Sequence, residues 1–186
     1  MDRRINLDLK VAAEMGVKDI TDDRNNTDIA LAIPVISVSG GGMLMTWYFG
    51  ALKAIMEVRG GAPVVFASFS SGALACAVFL CKLKHETAAK RYTEMMDERR
   101  VSQRLFGLAF IWGDITRQWL EEILPEDAHE LCEGSLVVHV LEWRGMLSGF
   151  KMRRVKHFPD RATLIQTLLA SCHIPCLLYT SDAADD

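Results

Sequence analysis

The chain has 186 residues, of which 50% are hydrophobic and 24% are charged, and its formal net charge is −3. This length predicts one domain with enough chain for a single core. The apolar fraction excludes a disordered protein, and the absence of low-complexity tracts excludes a linker or a fibrous protein. The near-neutral charge argues against a nucleic-acid binder, whose domain is normally basic, so we expect no nucleic-acid partner.

The two ends of the chain differ from its middle. Residues 1–28 are polar and charged, with no apolar signal-peptide core, and we interpret them as an N-terminal extension. Residues 176–186 break the preceding pattern and look like the translation of a sequencing adapter, so we place the domain at residues 29–175. Excluding them removes three aspartates, and the 21 remaining acids equal the 21 bases. The natural chain is then expected to continue beyond Pro175.

Two stretches without charges, residues 29–52 and 60–81, are long enough to span a membrane. However, the first contains Pro34 and three consecutive glycines, and the second contains Pro63 and three serines. We interpret each as a buried strand, a turn and a helix, and predict no transmembrane helix. With no signal peptide either, the expected location is cytoplasmic, or peripheral at intracellular membranes or lipid droplets.

The cysteines of the domain show no metal-ligand spacing, and we predict buried free thiols in a reducing compartment. They are Cys76, Cys81, Cys132 and Cys172.

The middle of the chain predicts an α/β alternation. Residues 30–38 read as a buried strand, followed by three glycines and a helix that stops at Gly60. The apolar spacing predicts an inward helix face formed by Leu44, Trp47, Tyr48, Ala51, Leu52, Ile55 and Met56. Residues 64–67 predict a second strand, which turns at residues 68–72 into a helix over 73–83.

The second half predicts three helices and one more strand. The helices are expected over residues 86–100, over 115–124 with Asp114 as the N-cap, and from Asp160 to about Ser171. The strand is expected over residues 136–141.

The glycine turn, Gly40, Gly41 and Gly42, joins a predicted strand to a predicted helix. Backbone N–H groups without neighbouring side chains can approach an anion closely, and the helix N-terminus adds partial positive charge. This pattern is typical of phosphate binding or of an oxyanion hole, although a turn without a ligand remains open. No Gly-Lys-Ser/Thr follows, so the turn is not a P-loop.

The serine-rich turn at residues 68–72 has the pattern of a nucleophile elbow, in which a serine at a sharp turn has small residues two positions away on each side. Only Ser70 meets that condition, with Ser68 and Gly72 as its flanking residues. Parallel strands would bring both turns to the same edge of the sheet, where α/β proteins bind ligands.

These motifs resemble the patatin-like phospholipase family. The resemblance rests on residues 38–43 (VSGGGM) with 50–53 (GALK), on 68–74 (SFSSGAL), and on 164–175 (LIQTLLASCHIP), which lie in the family's order. It implies a three-layer α/β/α sandwich with a mostly parallel central sheet. It also implies lipid acyl-ester hydrolysis by a Ser–Asp dyad, with no cofactor and no metal.

By this resemblance Ser70 would be the nucleophile, and Gly40, Gly41 and Gly42 would form the oxyanion hole. The family's catalytic aspartate lies downstream of the third motif and has no counterpart before Pro175, so we expect the 186-residue chain itself to be inactive. The chain departs from the family at Leu44, Met45 and Ser68, where a basic residue, glycine and glycine are common. The partner implied is a lipid or acyl ester, with peripheral membrane contact.

Three alternatives stay open. A catalytically dead relative could bind lipid, and an acyltransferase could use the same Ser70. A Ser–Asp–His triad could use Asp160 and His173, which follow Ser70 in the right order. Separately, Met43, Leu44, Met45 and Trp47 would either line an acyl channel or form the buried face of the helix.

Overall fold

The computed structural model describes residues 33–105, 107–108, 111–143 and 150–173. The predictions for residues 1–28, 30–32 and 176–186 lie outside these ranges. The strands are β1 (Val35–Val38), β2 (Val65–Phe69), β3 (Leu136–Trp143) and β4 (Phe150–Val155). The α-helices are α1 (Met45–Val58), α2 (Ser71–Leu80), α3 (His85–Glu98), α4 (Trp112–Ile123), α5 (Ala128–Cys132) and α6 (Arg161–Ser171).

The strands form one mixed sheet in the order β1-β2-β3-β4. The pairs β1–β2 and β2–β3 are parallel, with Val38 opposite Ser68 and Phe69 opposite His139. Strand β4 pairs with β3 in the antiparallel direction. The mostly parallel α/β fold expected from the sequence is therefore confirmed, and the turns that follow β1 and β2 lie at the same edge of the sheet.

Helix α2 is the centre of the domain. Its residues from Ser71 to Val78 are all buried, because the helix is apolar on every side and packs against the strands and the other helices. A second, smaller apolar cluster lies among the strand residues Val65, Ala67 and Val137. Strands β2 and β3 thus have buried apolar side chains at successive positions, as expected for strands that are covered on both faces of the sheet.

The predicted inward face of α1 is confirmed at Leu52, which is buried, and at Tyr48, which packs half-buried against the core, but is otherwise displaced by about one residue. The helix buries Met45, Phe49 and Leu52, whereas Leu44 and Trp47 are exposed. Most of α1 is apolar, so several stripes fit the helical period and the spacing alone does not select the one that faces the core. The alternative in which Leu44 and Trp47 belong to a buried helix face is wrong for the same reason.

Other predicted bounds shift by a few residues. Helix α4 begins at Trp112, so Asp114 lies in its first turn and is not the N-cap. Helix α5 and strand β4 were not predicted from the sequence: α5 has only five residues, and β4 carries lysine and arginines on a largely exposed strand. Within the described ranges, no helix is long and apolar enough to cross a membrane.

Asp160 caps α6 as predicted, and its carboxylate accepts a hydrogen bond of 2.6 Å from the Thr163 backbone N–H. This bond lowers the pKa of Asp160 below its ordinary value. A carboxylate with a lowered folded-state pKa stabilises the fold fully above its unfolded pKa, and this contribution is lost as the pH falls through the folded pKa.

We therefore expect Asp160→Asn, which keeps the capping oxygen without the charge, to be less stable than the wild type at pH 7. The difference should shrink as the pH falls below about 4, the usual aspartate pKa. Urea unfolding midpoints of both proteins at pH 7 and pH 3 measure it. A difference that stays constant over this range would show that the charge contributes nothing.

Candidate active site

Ser70 occupies the sharp turn between β2 and α2 with φ 54° and ψ −132°. A positive φ is uncommon for a residue with a side chain and costs on the order of 1–3 kcal/mol. Such strain persists only where the surroundings enforce it, and it is a known feature of nucleophile elbows. The backbone at the predicted nucleophile therefore has the conformation that the sequence motif requires.

The glycine turn lies directly against Ser70. A Cβ placed on Gly40 would lie 3.1 Å from the Ser70 Cβ and 3.6 Å from its Oγ. A Cβ placed on Gly72 would lie 2.7 Å from the Val38 carbonyl oxygen and closer still to that of Ser39. Glycine at both positions thus lets the end of β1 approach the start of α2. The glycine turn and the serine-rich turn therefore lie side by side, as expected for turns that follow parallel strands.

Gly41 has two close neighbours, Ser71 and Tyr48. Its backbone N–H donates a hydrogen bond of 2.8 Å to Oγ of Ser71, a side chain that is fully buried. A Cβ on Gly41 would also lie 2.8 Å from Oη of Tyr48, and that hydroxyl is 3.3 Å from Ser39 Oγ. Gly42 has a positive φ of 54° and open space around it.

Ser171, the last residue of α6, connects the nucleophile to β3. The Ser70 backbone N–H donates a 2.7 Å hydrogen bond to Ser171 Oγ, which donates its own hydrogen to the His139 carbonyl oxygen at 2.7 Å. Ser171 is 2% exposed. From the sequence, Ser171 was noted only as part of a family motif. Its hydrogen bond to Ser70 was not predicted, because the two residues are 101 positions apart and no local pattern marks such a contact.

The other flanking residue of the elbow, Ser68, is a strand residue. Its side chain is buried and donates a 3.3 Å hydrogen bond to the Val137 carbonyl oxygen of β3. Its own carbonyl oxygen is 3.2 Å from Nδ1 of His139. Serine is tolerated where the family commonly has glycine because this position lies within the sheet and the hydroxyl has a partner. His139 thus makes contacts within the sheet and at Ser171, which give it a structural role.

Cys172 is a buried thiol next to this site, and it could in principle compete as a nucleophile. Burial raises its pKa to about 12, and a contact with the Ser70 side chain offsets only part of this effect. Burial likewise raises the pKa of Cys76. A thiol is nucleophilic only as the thiolate, so Cys172 is inert at neutral pH.

We expect Cys172 in the folded protein to react with iodoacetamide at pH 8 at least about 10-fold more slowly than in urea, because the buried thiol is protonated. Mass spectrometry of the alkylated peptides measures both rates. The buried Cys76 is the internal comparison and should behave in the same way. Rapid alkylation of native Cys172 would contradict this arrangement.

The Asp160–His173 triad is wrong on geometric grounds. Asp160 caps the N-terminus of α6, whereas Ser171, which contacts Ser70, ends the same helix. An eleven-residue helix is about 16 Å long, so Asp160 cannot orient an imidazole at the nucleophile. Among the described residues, no cluster of His, Cys, Asp or Glu could hold a metal ion.

The apolar residues beside the glycine turn do not share one environment. Met45 is 2% exposed and belongs to the core, whereas Met43, Leu44 and Trp47 are 53%, 63% and 65% exposed. The exposed three lie on the short 3₁₀ turn at Gly42–Leu44 and the first turn of α1, close to the candidate oxyanion donors.

Comparison with known proteins agrees with the motifs. The Patatin-like phospholipase family model matches residues 36–182. The chain is also similar to the mouse (Mus musculus) omega-hydroxyceramide transacylase, with 26% identity over 151 residues. That match covers 75% of this chain and 23% of the transacylase, so the chain spans about a quarter of the length of this relative. No solved structure matches. Since the family match covers well over half of the sequence and includes both turns of the site, the chain belongs to the patatin-like phospholipase family.

Proposed function

We propose that this domain cleaves acyl esters of lipids with Ser70 as the nucleophile, Gly40–Gly42 as the oxyanion turn, and Ser68 and Gly72 as the flanks of the elbow. The observation that carries the proposal is the strained backbone of Ser70 directly beside Gly40. Family membership supports lipid acyl hydrolysis or acyl transfer in general.

The proposed reaction has two steps. Ser70 Oγ attacks the ester carbonyl carbon and gives its proton to a carboxylate base, and amides of the glycine turn stabilise the oxyanion. The intermediate then expels the alcohol, which takes up the proton. Water attacks the acyl-serine in the second step, which releases the fatty acid and restores Ser70. No cofactor or metal takes part in this scheme.

We place the base, the aspartate of the Ser–Asp dyad, downstream of Pro175. Asp182 and Asp185 are not assigned to this role, because neither precedes a glycine and both lie in the segment interpreted as an adapter. Under this proposal the 186-residue chain is inactive. Sequencing the source transcript across codon 175 tests it: an Asp-Gly motif shortly beyond Pro175 is the expected result. A natural continuation without that aspartate favours the catalytically dead, lipid-binding alternative.

Acyl transfer is the second candidate, and the relative named a transacylase favours it. The same acyl-serine would then pass its acyl group to an alcohol of a second lipid, with the base removing the proton of that hydroxyl. An assay of the complete protein with a radiolabelled acyl donor separates the two reactions. A hydrolase yields labelled fatty acid whether or not an ω-hydroxylated ceramide is added, whereas a transacylase yields labelled acylceramide at the expense of free acid.

The substrate class also bears on where the protein acts. We propose peripheral contact with an intracellular membrane or lipid droplet, supported by the exposed Met43, Leu44 and Trp47 beside the glycine turn. Trp and Leu side chains are typical of interfacial contacts. Flotation of the complete protein with phosphatidylcholine vesicles tests this contact. Recovery of all the protein in the unbound fraction would contradict it.

A further inference from the structure

Ser71 makes a contact that the elbow motif does not require. It follows the nucleophile in sequence and begins α2, and its side chain is fully buried. Its hydroxyl oxygen accepts the Gly41 N–H at 2.8 Å, across 30 positions of sequence. A buried hydroxyl costs free energy unless it forms hydrogen bonds, and this bond satisfies the oxygen of Ser71 with a backbone amide of the glycine turn.

The bond changes how the three glycines can act. The amide of Gly41 is engaged by Ser71, whereas the amides of Gly40 and Gly42 donate no hydrogen bond to any described residue and are the donors available to an oxyanion. Gly40 lies against the Ser70 side chain, and Gly42 has no heavy atom near the position of a Cβ. Among the described residues, the glycine turn therefore has one anchored amide and two amides without a hydrogen-bond acceptor.

The bond also holds the glycine turn at a fixed distance from the nucleophile Ser70. Oxyanion donors are effective when they are already positioned, since a displacement of about 1 Å can cost about 100-fold in rate. Ser70 and Ser71 are consecutive, so a bond from Ser71 to Gly41 ties the oxyanion turn to the backbone of the nucleophile itself. Tyr48 also packs closely against Gly41, with Oη 2.8 Å from the position of a Cβ there.

We propose that Ser71 is a positioning residue that anchors the glycine turn through Gly41, and that Gly40 and Gly42, without Gly41, supply the oxyanion donors. This inference rests on the proposed acyl-ester chemistry at Ser70. It assigns a role to a residue that the sequence motif leaves unspecified.

The test compares Ser71→Ala with Ser71→Thr in the complete protein, including its natural sequence beyond codon 175, on a soluble p-nitrophenyl ester. Ser71→Ala should lower kcat about 10-fold to 100-fold, while KM changes less than about 2-fold, because the anchored turn acts mainly on the transition state. Ser71→Thr keeps the hydroxyl and should retain kcat within about 3-fold of the wild type. Thr167→Val is the matched control, since it removes another buried hydroxyl, bonded to the Thr163 carbonyl oxygen, and should leave kcat unchanged.

Two inhibitors separate positioning from a general structural effect. A trifluoromethyl ketone forms a tetrahedral adduct with the serine, and its affinity for Ser71→Ala should fall in proportion to kcat. An ether analogue of the substrate cannot form that adduct, and its affinity should stay the same. If Ser71→Ala fails to fold, Ser71→Cys, whose sulfur is a weak acceptor, takes its place with the same expected pattern.

Unchanged kcat in Ser71→Ala, an equal loss of affinity for both inhibitors, or a rise in kcat from a released Gly41 amide would each overturn the proposal. Its failure is distinguishable from failure of the proposed function. An inactive wild type, or an active Ser70→Ala, contradicts the acyl-ester chemistry itself. A wild type that depends on Ser70 but is insensitive to Ser71 contradicts only the role of Ser71.

Discussion

Ser70→Ala is expected to abolish ester cleavage by the complete protein, with a loss of at least about 10⁴-fold in kcat. The variant lacks the attacking oxygen, and no neighbouring group replaces it: Cys172 is protonated at neutral pH because burial raises its pKa. The fold should survive, since the hydrogen bond from the backbone N–H of residue 70 to Ser171 does not involve the side chain that is lost. Steady-state hydrolysis of a soluble ester, together with a thermal unfolding curve, measures both expectations.

Ser70→Gly provides a sharper control. Glycine adopts φ near 54° without the cost that a side chain imposes, so this variant should be as inactive as Ser70→Ala but more stable than the wild type by about 1 kcal/mol. A gain of stability at the cost of all activity is characteristic of a strained functional position. Destabilisation by Ser70→Gly would indicate that this backbone is not strained.

Gly72→Ala should have the largest effect on stability, about 3 kcal/mol of destabilisation. The added Cβ would lie 2.7 Å from the Val38 carbonyl oxygen and would also clash with that of Ser39, and these backbone atoms cannot move aside as a flexible side chain can. Helix α2 would have to shift away from β1, which would also separate Ser70 from the glycine turn. We therefore expect activity to fall together with stability, as measured by urea unfolding and ester hydrolysis.

Gly50→Ala is the matched control for this substitution. Gly50 lies within α1, and a Cβ there would meet no heavy atom within 4 Å. Alanine is a better helix former than glycine, so Gly50→Ala should stabilise the protein by about 0.5–1 kcal/mol. If both variants behaved alike, the cost at Gly72 would not come from its contact with the end of β1.

Much of the fold followed from local pattern, because strands and helices that are buried in an α/β core carry strong signals. The uncharged runs of residues 29–52 and 60–81 were correctly interpreted as strand, turn and helix, within the part of them that the structure describes. The expectation that the first strand is buried was wrong for most of β1, in which only Val38 is buried, because β1 lies at the edge of the described sheet. Asp160 was correctly predicted as a cap because capping depends on residues within one turn. The inward face of α1 was only partly right, since the helix has apolar residues on more than one side and only the tertiary structure selects which are buried.

Some features of the candidate site could likewise be predicted from local sequence, and others could not. The turn geometry at Ser70 and its closeness to Gly40 agree with what two local motifs and a parallel sheet imply. The hydroxyl contacts of Ser71 and Ser171 had no such signal, because they join residues 30 and 101 positions apart. Hydrogen bonds of this kind depend on the relative placement of whole elements, which a single sequence does not encode locally.

The central claim, that Ser70 is an activated nucleophile beside an oxyanion turn, is tested most directly by covalent labelling of the complete protein with a fluorophosphonate, followed by mass spectrometry of the tryptic peptides. We expect a single adduct, on Ser70. It should disappear in Ser70→Ala and remain on Ser70 in the control variant Gly50→Ala. An adduct on Ser68 or Ser71, or no adduct in a folded protein that carries the downstream aspartate, would contradict the claim.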